Sequence, residues 1–227
     1  MATLVLFSGL GADERLFQHQ RDAFGAVVVV QPWIDLIAGE DLPAYARRMA
    51  DVVVARVDRD RPLLLGGSSF GGMVAIECAR VLRADGVVLI GSCRDLSGIR
   101  AVFRWLLPLV HLVPLIGHRV FAQMGAAIAF VFGARTDVER ALFAEMLRAS
   151  PPLRVQWAVN AMTRWRPQAL EGIPVFAVHG ASDHLLPAAL ARRADAQVVV
   201  VDGAGHLLPL THPAATNAFL QTVLSRF

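Results

Sequence analysis

The chain of 227 residues is long enough for one α/β domain and too short for two of ordinary size. Hydrophobic residues make up 55% of it, which excludes an intrinsically disordered protein. The formal charge is +3, and all 22 basic residues are arginines scattered along the chain, so nucleic-acid binding is not indicated.

The remaining composition favours a soluble cytoplasmic protein without a metal or cofactor. Cys78 and Cys93 lack metal-ligand spacing and are predicted to be reduced, buried thiols. No H-E-x-x-H pattern and no complete G-x-G-x-x-G pattern is present. The N-terminal segment has neither a basic region nor a small-residue cleavage site, so no signal peptide is predicted. The most apolar stretch, Trp105–Ile116, is too short for a membrane span and contains two prolines, so no stable membrane insertion is expected.

Six short apolar runs predict the strands of a sheet. None alternates apolar with polar residues, which is typical of parallel strands that are buried on both faces. The runs are 3–7, 26–30, 62–65, 86–90, 175–178 and 197–201.

Helical patterns lie between these runs. One follows Asp13, a second follows the potential cap Asp41, a third follows the third strand, and a fourth closes the chain. Because strands and helices alternate, the predicted fold is α/β, with a doubly wound, mostly parallel six-stranded sheet.

Residues 98–168 interrupt this alternation and are predicted to form an inserted helical lid, called the predicted lid below. They contain the apolar stretch 105–132 and then two helices. The first begins with a capping box, Thr136 to Glu139, and should bury Val138, Leu142 and Met146. The second follows two prolines and should bury Leu153, Trp157 and Ala161. Residues 1–97 and 169–227 are the predicted core domain.

A glycine-rich turn after the third strand contains the candidate nucleophile. Gly67, Ser69 and Gly71 match G-x-S-x-G, in which a sharp strand-to-helix turn leaves no room for Cβ atoms two residues either side of the serine. The helix that follows adds free N–H groups and a positive dipole end. Shifting the pattern to Ser68 would put Phe70 at a glycine position. Ser69 is therefore the predicted nucleophile, with an incidental serine in a structural turn as the alternative.

A serine nucleophile needs a base, and that base needs an acid to orient it. His206 follows the last predicted strand and Asp183 follows the fifth, so we predict these two residues as base and acid. Asp95, after the fourth strand, stays open as an alternative acid, whereas Asp202 is predicted to be a cap or turn residue. His179 is expected to shape the loop before Asp183.

The order serine, acid, histidine along the chain is that of α/β-hydrolases. The segments Gly180–Pro187 and Gly205–His206 resemble the loops that carry the acid and the base in that superfamily. Ser8–Gly11 resembles its oxyanion turn, although the family usually has histidine where Ser8 stands. The resemblance covers nearly the whole chain and implies a shortened version of the fold with the sheet order 2-1-3-4-5-6. It also implies an oxyanion hole formed by two backbone N–H groups, those of Leu10 and Phe70.

The resemblance implies a serine hydrolase that acts on a small-molecule carboxylic ester through an acyl-Ser69 intermediate. Thioesters and lactones use the same residues and stay open, as does a non-catalytic ligand receptor with this fold. The apolar composition of the predicted lid favours small to medium apolar acyl groups that are longer than acetate. We expect charged acyl groups to be poor substrates, because no arginine is evident beside Ser69. The sequence does not indicate an oligomeric state.

Overall fold

The strands form a single parallel sheet. The computed structural model describes residues 1–58, 60–106, 124–194 and 198–227. Within them the strand order is β2-β1-β3-β4-β5-β6 and every pairing is parallel, which confirms the predicted fold class and sheet order. The strands are β1 (Thr3–Phe7), β2 (Val28–Gln31), β3 (Leu63–Ser68), β4 (Gly86–Ile90), β5 (Val175–Gly180) and β6 (Val198–Val201).

Helices cover both faces of this sheet. They are α1 (Gln18–Phe24), α2 (Leu42–Val54), α3 (Phe70–Leu82), α4 (Ala101–Leu106), α5 (Gly125–Val131), α6 (Asp137–Ala149), α7 (Pro152–Arg164), α8 (Ala188–Ala194), α9 (Leu208–Thr211) and α10 (Pro213–Leu224). Because successive side chains of a strand point to opposite faces, Leu65 packs with α2, α3 and α7, whereas Leu64 packs with α6, α9 and α10. The carboxyl ends of the strands therefore open between the two helical layers.

Local capping interactions start several helices where the sequence predicted them. Asp13 accepts a hydrogen bond from the N–H of Arg15 and caps a 3-10 turn that leads into α1. Asp41 accepts one from the N–H of Ala44 at the start of α2. The predicted capping box at the start of α6 is present, with both of its hydrogen bonds formed.

The described helices of the predicted lid bury part of the expected faces: Met146 and Ala161 are buried, whereas two other expected residues are exposed. Val138 on α6 is 78% exposed and Leu153 on α7 is 72% exposed. The stripe that α6 buries contains Phe143 and Met146, and that of α7 contains Val155 and Val159. An amphipathic pattern indicates that one face is apolar, but the packing partner decides which residues are covered.

The apolar stretch 105–132 falls partly outside the described residues. Trp105, within the described part, is 82% exposed. No helix among residues 1–58, 60–106, 124–194 and 198–227 is long and apolar enough to cross a membrane.

Candidate active site

Ser69 occupies a strained turn between β3 and α3. Its φ is 53° and its ψ is −123°, a conformation that a non-glycine residue adopts only when the surrounding structure enforces it. A Cβ atom at Gly67 would collide with the backbone of Gly71, and one at Gly71 would collide with the carbonyl groups of Phe7 and Ser8. The two glycines therefore allow the strand, the turn and the helix to approach each other, and the side chain of Ser69 stays partly exposed.

The backbone of this turn is anchored to the end of β4. The Ser69 N–H donates to the carbonyl of Ile90 at 3.1 Å, and the buried hydroxyl of Ser92 donates to the Ser69 carbonyl at 2.6 Å. The same carbonyl accepts the N–H of Gly72 at 3.0 Å. Sequence reasoning did not assign a role to Ser92, although its position after β4 was a signal that could have been used.

Asp183 and His206 form a buried, directed pair. Asp183 Oδ2 lies 2.7 Å from His206 Nδ1, and Asp183 Oδ1 accepts the N–H groups of Leu185 and Leu186, both at 2.9 Å. Burial acts to raise the pKa of the Asp183 carboxyl, but His206 and the two N–H donors outweigh it and hold that pKa below its usual value. An ionised Asp183 requires the proton on Nδ1, which leaves Nε2 of His206 as the acceptor.

The end of β4 contacts both His206 and the turn that contains Ser69. A Cβ atom at Gly91 would lie 3.6 Å from His206 Nδ1, and the following residue, Ser92, is bonded to the Ser69 carbonyl. Ser69 Oγ makes no hydrogen bond to His206 within the described residues. Such bonds are often long before a substrate is bound.

Asp95, Asp202 and His179 make no hydrogen bond to the Asp183 or His206 side chain within the described residues. Asp95 accepts the N–H of Ser97 and caps a 3-10 turn, and Asp202 is exposed. His179 is buried, and its Nδ1 lies 3.2 Å from the carbonyl of Leu186, at the end of the loop that holds Asp183. Burial lowers the pKa of His179, so the ring is neutral and its Nδ1 acts as the donor.

The turn after β1 approaches Ser69 from the other side. A Cβ atom at Gly9 would lie 3.4 Å from the Cβ of Ser69. Ser8 is buried and its hydroxyl donates to the carbonyl of Asp13 at 2.7 Å, which closes the turn. The N–H groups of Leu10 and Phe70 have no hydrogen-bond acceptor in the described part of the chain.

A small open pocket, lined in part by Leu10 and Phe70, lies beside these N–H groups and is called the aromatic pocket below. Its wall contains packed aromatic rings: Phe70 stacks on Trp33 and meets Trp157 edge-on, with 5.9 Å between the ring centroids in each pair. Trp33 and Trp157 are fixed through their ring N–H groups, which donate to the carbonyls of Ala12 and Glu40. The lining residues are Leu10, Gly11, Trp33, Phe70, Arg154, Trp157 and Ala158. Sequence reasoning missed Trp33 and Arg154.

Metal ligands and reactive thiols are not evident at this site. Among the residues with described coordinates, no group of three or more His, Cys, Asp or Glu side chains could hold a metal ion. Cys78 and Cys93 are buried and form no disulfide, and burial raises the pKa of the Cys93 thiol to about 12. A thiol with such a pKa is a poor nucleophile at neutral pH.

The sequence matches a family model described as "Alpha/beta hydrolase family" over residues 4–219. The chain belongs to this family. The turn at Ser69 and the Asp183–His206 pair thus lie in an alpha/beta hydrolase at the carboxyl ends of its strands. No curated protein matches this alpha/beta hydrolase in sequence.

Solved structures of other proteins have the same fold as this alpha/beta hydrolase. A hydrolase from Oleispira antarctica has a TM-score of 0.79 at 13% identity, with 100% of this chain and 92% of that chain covered. A thermophilic esterase from Thermogutta terrifontis, with malate bound, has a TM-score of 0.77 at 21% identity, with 100% and 90% covered. The N-acyl homoserine lactonase AidH has a TM-score of 0.74 at 15% identity, with 99% and 89% covered. Identities this low establish the common fold alone.

Proposed function

We propose that this alpha/beta hydrolase is a serine hydrolase that cleaves carboxylic esters with a small to medium apolar acyl group. Ser69 Oγ attacks the ester carbonyl while His206 Nε2 takes the serine proton. His206 then gives this proton to the departing alcohol, which leaves acyl-Ser69. A water molecule attacks the acyl group, His206 accepts its proton, and the carboxylic acid leaves as the proton returns to Ser69.

The observation that carries this proposal is the buried Asp183–His206 pair beside a serine in a strained turn. A carboxylate that is held ionised by three donors keeps the His206 proton on Nδ1 and stabilises the imidazolium that forms during attack. The unoccupied N–H groups of Leu10 and Phe70 would receive the negative charge that develops on the carbonyl oxygen, an interaction worth about 3 kcal/mol per donor.

We also propose that residues 98–168 form a lid on a core of residues 1–97 and 169–227. Two contacts support this division. The ring of Phe132 lies 5.2 Å from that of His206, and the carbonyl of Phe132 accepts the N–H of Leu207. Trp157, on α7, lines the aromatic pocket beside Phe70. The lid would therefore cover the site and supply apolar wall to the acyl group.

The first test is covalent labelling by a fluorophosphonate combined with the hydrolysis of p-nitrophenyl butanoate. We expect wild-type protein to be labelled at Ser69 and to turn the ester over. Ser69→Ala should lose labelling and about 10⁶-fold in kcat. Ser68→Ala is the matched control and should keep both, because Ser68 is a buried β3 residue. Labelling at Ser68, or neither labelling nor turnover in the wild type, would contradict the proposal; the second result would favour a ligand receptor.

The second test concerns the acyl group. A pocket with aromatic walls gains about 0.8 kcal/mol for each methylene that it buries, or roughly fourfold in kcat/KM. Values for p-nitrophenyl esters from two to sixteen carbons should therefore rise above acetate and then fall when the chain exceeds the pocket. A steady fall from acetate would contradict a lined pocket. Matched butanoyl thioester and lactone substrates would show whether an oxygen ester is the preferred class.

A further inference from the structure

The side chain of Arg154 lines the aromatic pocket. Its Nε atom is buried and has no hydrogen bond, and no ion pair of this side chain is found within the described residues. A buried donor of a charged group that is left unpaired costs free energy, so such groups are normally bonded. The side chain of Arg154 is thus a cation that lines the pocket beside Phe70, and none of the described acidic residues forms an ion pair with it.

Two groups near Arg154, the Glu40 carboxylate and the Tyr45 hydroxyl, already have other partners. Glu40 binds Arg48, with 2.6 Å between Oε1 and the guanidinium, and its other bonds go to the same residue and to the N–H of Ile37. The Tyr45 hydroxyl lies between the N–H and the carbonyl of Ile34, and burial raises its pKa, so it stays neutral. Neither group can serve as the counterion.

The position of Arg154 on α7 adds to the positive potential. Arg154 is in the first turn of this helix, where an acidic residue is usual because the helix dipole is positive at that end. The first turn of α7 contains no acidic residue, and Pro151 makes no capping hydrogen bond through its side chain. Trp157 and Ala158 follow at helical spacing, so Arg154 shares with them the face that lines the pocket.

The charge of the whole protein is concentrated in the predicted lid. Residues 98–168 contain nine arginines and three acidic residues, a net charge of +6. The rest of the chain contains thirteen arginines and sixteen acidic residues, a net charge of −3. The stretch 96–136 contains no acidic residue, so its undescribed part cannot neutralise Arg154. A surface with this charge attracts anions toward the site that it covers.

We propose that the substrate of this protein carries an anionic group, a carboxylate or a phosphate, which Arg154 binds at the aromatic pocket. This inference rests on the proposed function, since it names the substrate class for the site around Ser69. The planar guanidinium can bind either anion through two parallel hydrogen bonds. The rings of Trp33, Phe70 and Trp157 contact the apolar body of the same molecule.

This substrate class differs from the sequence-based expectation, which was that charged acyl groups would be poor substrates. That expectation assumed that no arginine lies beside Ser69. Arg154 is 85 residues away in sequence, and α7 brings it into the same pocket as Phe70, the residue that follows Ser69.

The test measures binding, so that it does not depend on turnover. Calorimetry on Ser69→Ala compares 3-phenylpropionate with its neutral amide, and phenyl phosphate serves as the phosphate probe. We expect at least one anion to bind about tenfold or more tightly than the amide, because hydrogen bonds to charged groups are the stronger ones. Arg154→Gln in this background should abolish the preference. Arg164→Gln, at the exposed end of the same helix, removes the same charge and should retain it.

Two results would overturn the inference. Equal affinity for the anions and the amide in Ser69→Ala would mean that Arg154 only covers the aromatic rings. An equal loss in Arg154→Gln and Arg164→Gln would assign the preference to the overall charge of the lid. Anion binding that depends on Arg154, in a protein that hydrolyses no ester, would refute the proposed reaction and leave the anion site standing.

With an active enzyme, the part of the substrate that carries the charge can also be found. The values of kcat/KM are compared for p-nitrophenyl hydrogen glutarate and p-nitrophenyl pentanoate, and for 4-butyryloxybenzoate and phenyl butanoate. Arg154→Gln should lower the ratio of kcat/KM for the charged member to kcat/KM for the neutral member by about tenfold or more in one pair. Equal losses for the charged and neutral members of both pairs would contradict a role in binding the anion.

Discussion

Replacing Asp183 by Asn tests the proposed role of this acid in the sharpest way, because the structure determines how the amide must sit. Asp183 Oδ1 accepts two backbone N–H groups at 2.9 Å, so the side-chain carbonyl of asparagine has to take this place. The NH₂ group then takes the place of Oδ2, 2.7 Å from His206 Nδ1. Since NH₂ can only donate there, His206 must carry its proton on Nε2 and cannot accept one from Ser69.

The cost of restoring the active tautomer sets the size of the effect. Flipping the amide would give His206 an acceptor but would leave the N–H groups of Leu185 and Leu186 facing NH₂. Two buried donors without acceptors cost about 1–3 kcal/mol each, or about 2–6 kcal/mol in total. We therefore expect kcat of Asp183→Asn to fall by ~30-fold to ~10⁴-fold, at 1.36 kcal/mol for each factor of ten.

The assay is ester hydrolysis together with ¹⁵N NMR of the histidine ring. The NMR signals should move from a proton on Nδ1 in the wild type to one on Nε2 in the variant. Asp95→Asn is the matched control and should stay within a few-fold of wild type, because Asp95 only caps a turn. A loss below tenfold in Asp183→Asn, or a comparable loss in Asp95→Asn, would refute the assignment.

Three further predictions concern residues that support the site. Ser92→Ala removes the hydrogen bond to the Ser69 carbonyl and should lower the free energy of unfolding by about 1 kcal/mol and kcat several-fold. Ser97→Ala is the control: this side chain is exposed, so neither quantity should change. Equal effects of the two substitutions would contradict the anchoring role of Ser92. His179→Asn can still donate to the carbonyl of Leu186 and should retain more activity than His179→Leu, and equal activities would show that this bond does not position Asp183. Because the pKa of Asp183 is lowered in the folded protein, this carboxylate takes up its proton at a higher pH in the unfolded chain than in the folded one. The free energy of unfolding should therefore decline below about pH 4. Urea unfolding from pH 5 to 2.5 should show that Asp183→Asn reduces the slope of this decline by up to ~1.4 kcal/mol per pH unit. Parallel declines in the wild type and the variant would contradict the prediction.

The sequence determined the sheet because a parallel strand that is buried on both faces must be apolar throughout its length. Each predicted strand starts within two residues of the observed one, from β1 at Thr3 to β6 at Val198. The caps at Asp41 and Thr136 could also be predicted from the sequence, because a capping side chain bonds to an N–H group only three residues away. The glycines that flank Ser69 follow from local sterics in the same way.

The order of residues along the chain was enough to predict which side chains meet at the candidate site. Parallel strands end at one edge of a sheet, so residues that follow β3, β5 and β6 can be expected to meet. The structure places Asp183 and His206 within hydrogen-bond distance, and both lie near the end of β4. Their catalytic roles, and that of Ser69, stay predictions until the variants are measured.

Tertiary structure alone decided which side chains of the helices are covered and which of them face the pocket. Val138 and Leu153 belong to apolar patterns and are nonetheless exposed, because the helices present other residues to the core. Ser92 and Arg154 carry no motif that would mark them. Ser92 acquires its contact with Ser69 from the pairing of β3 with β4, and Arg154 reaches the pocket because of where α7 packs. Such contacts join residues far apart in sequence, and their existence depends on the distance and orientation of whole elements, which no local pattern encodes.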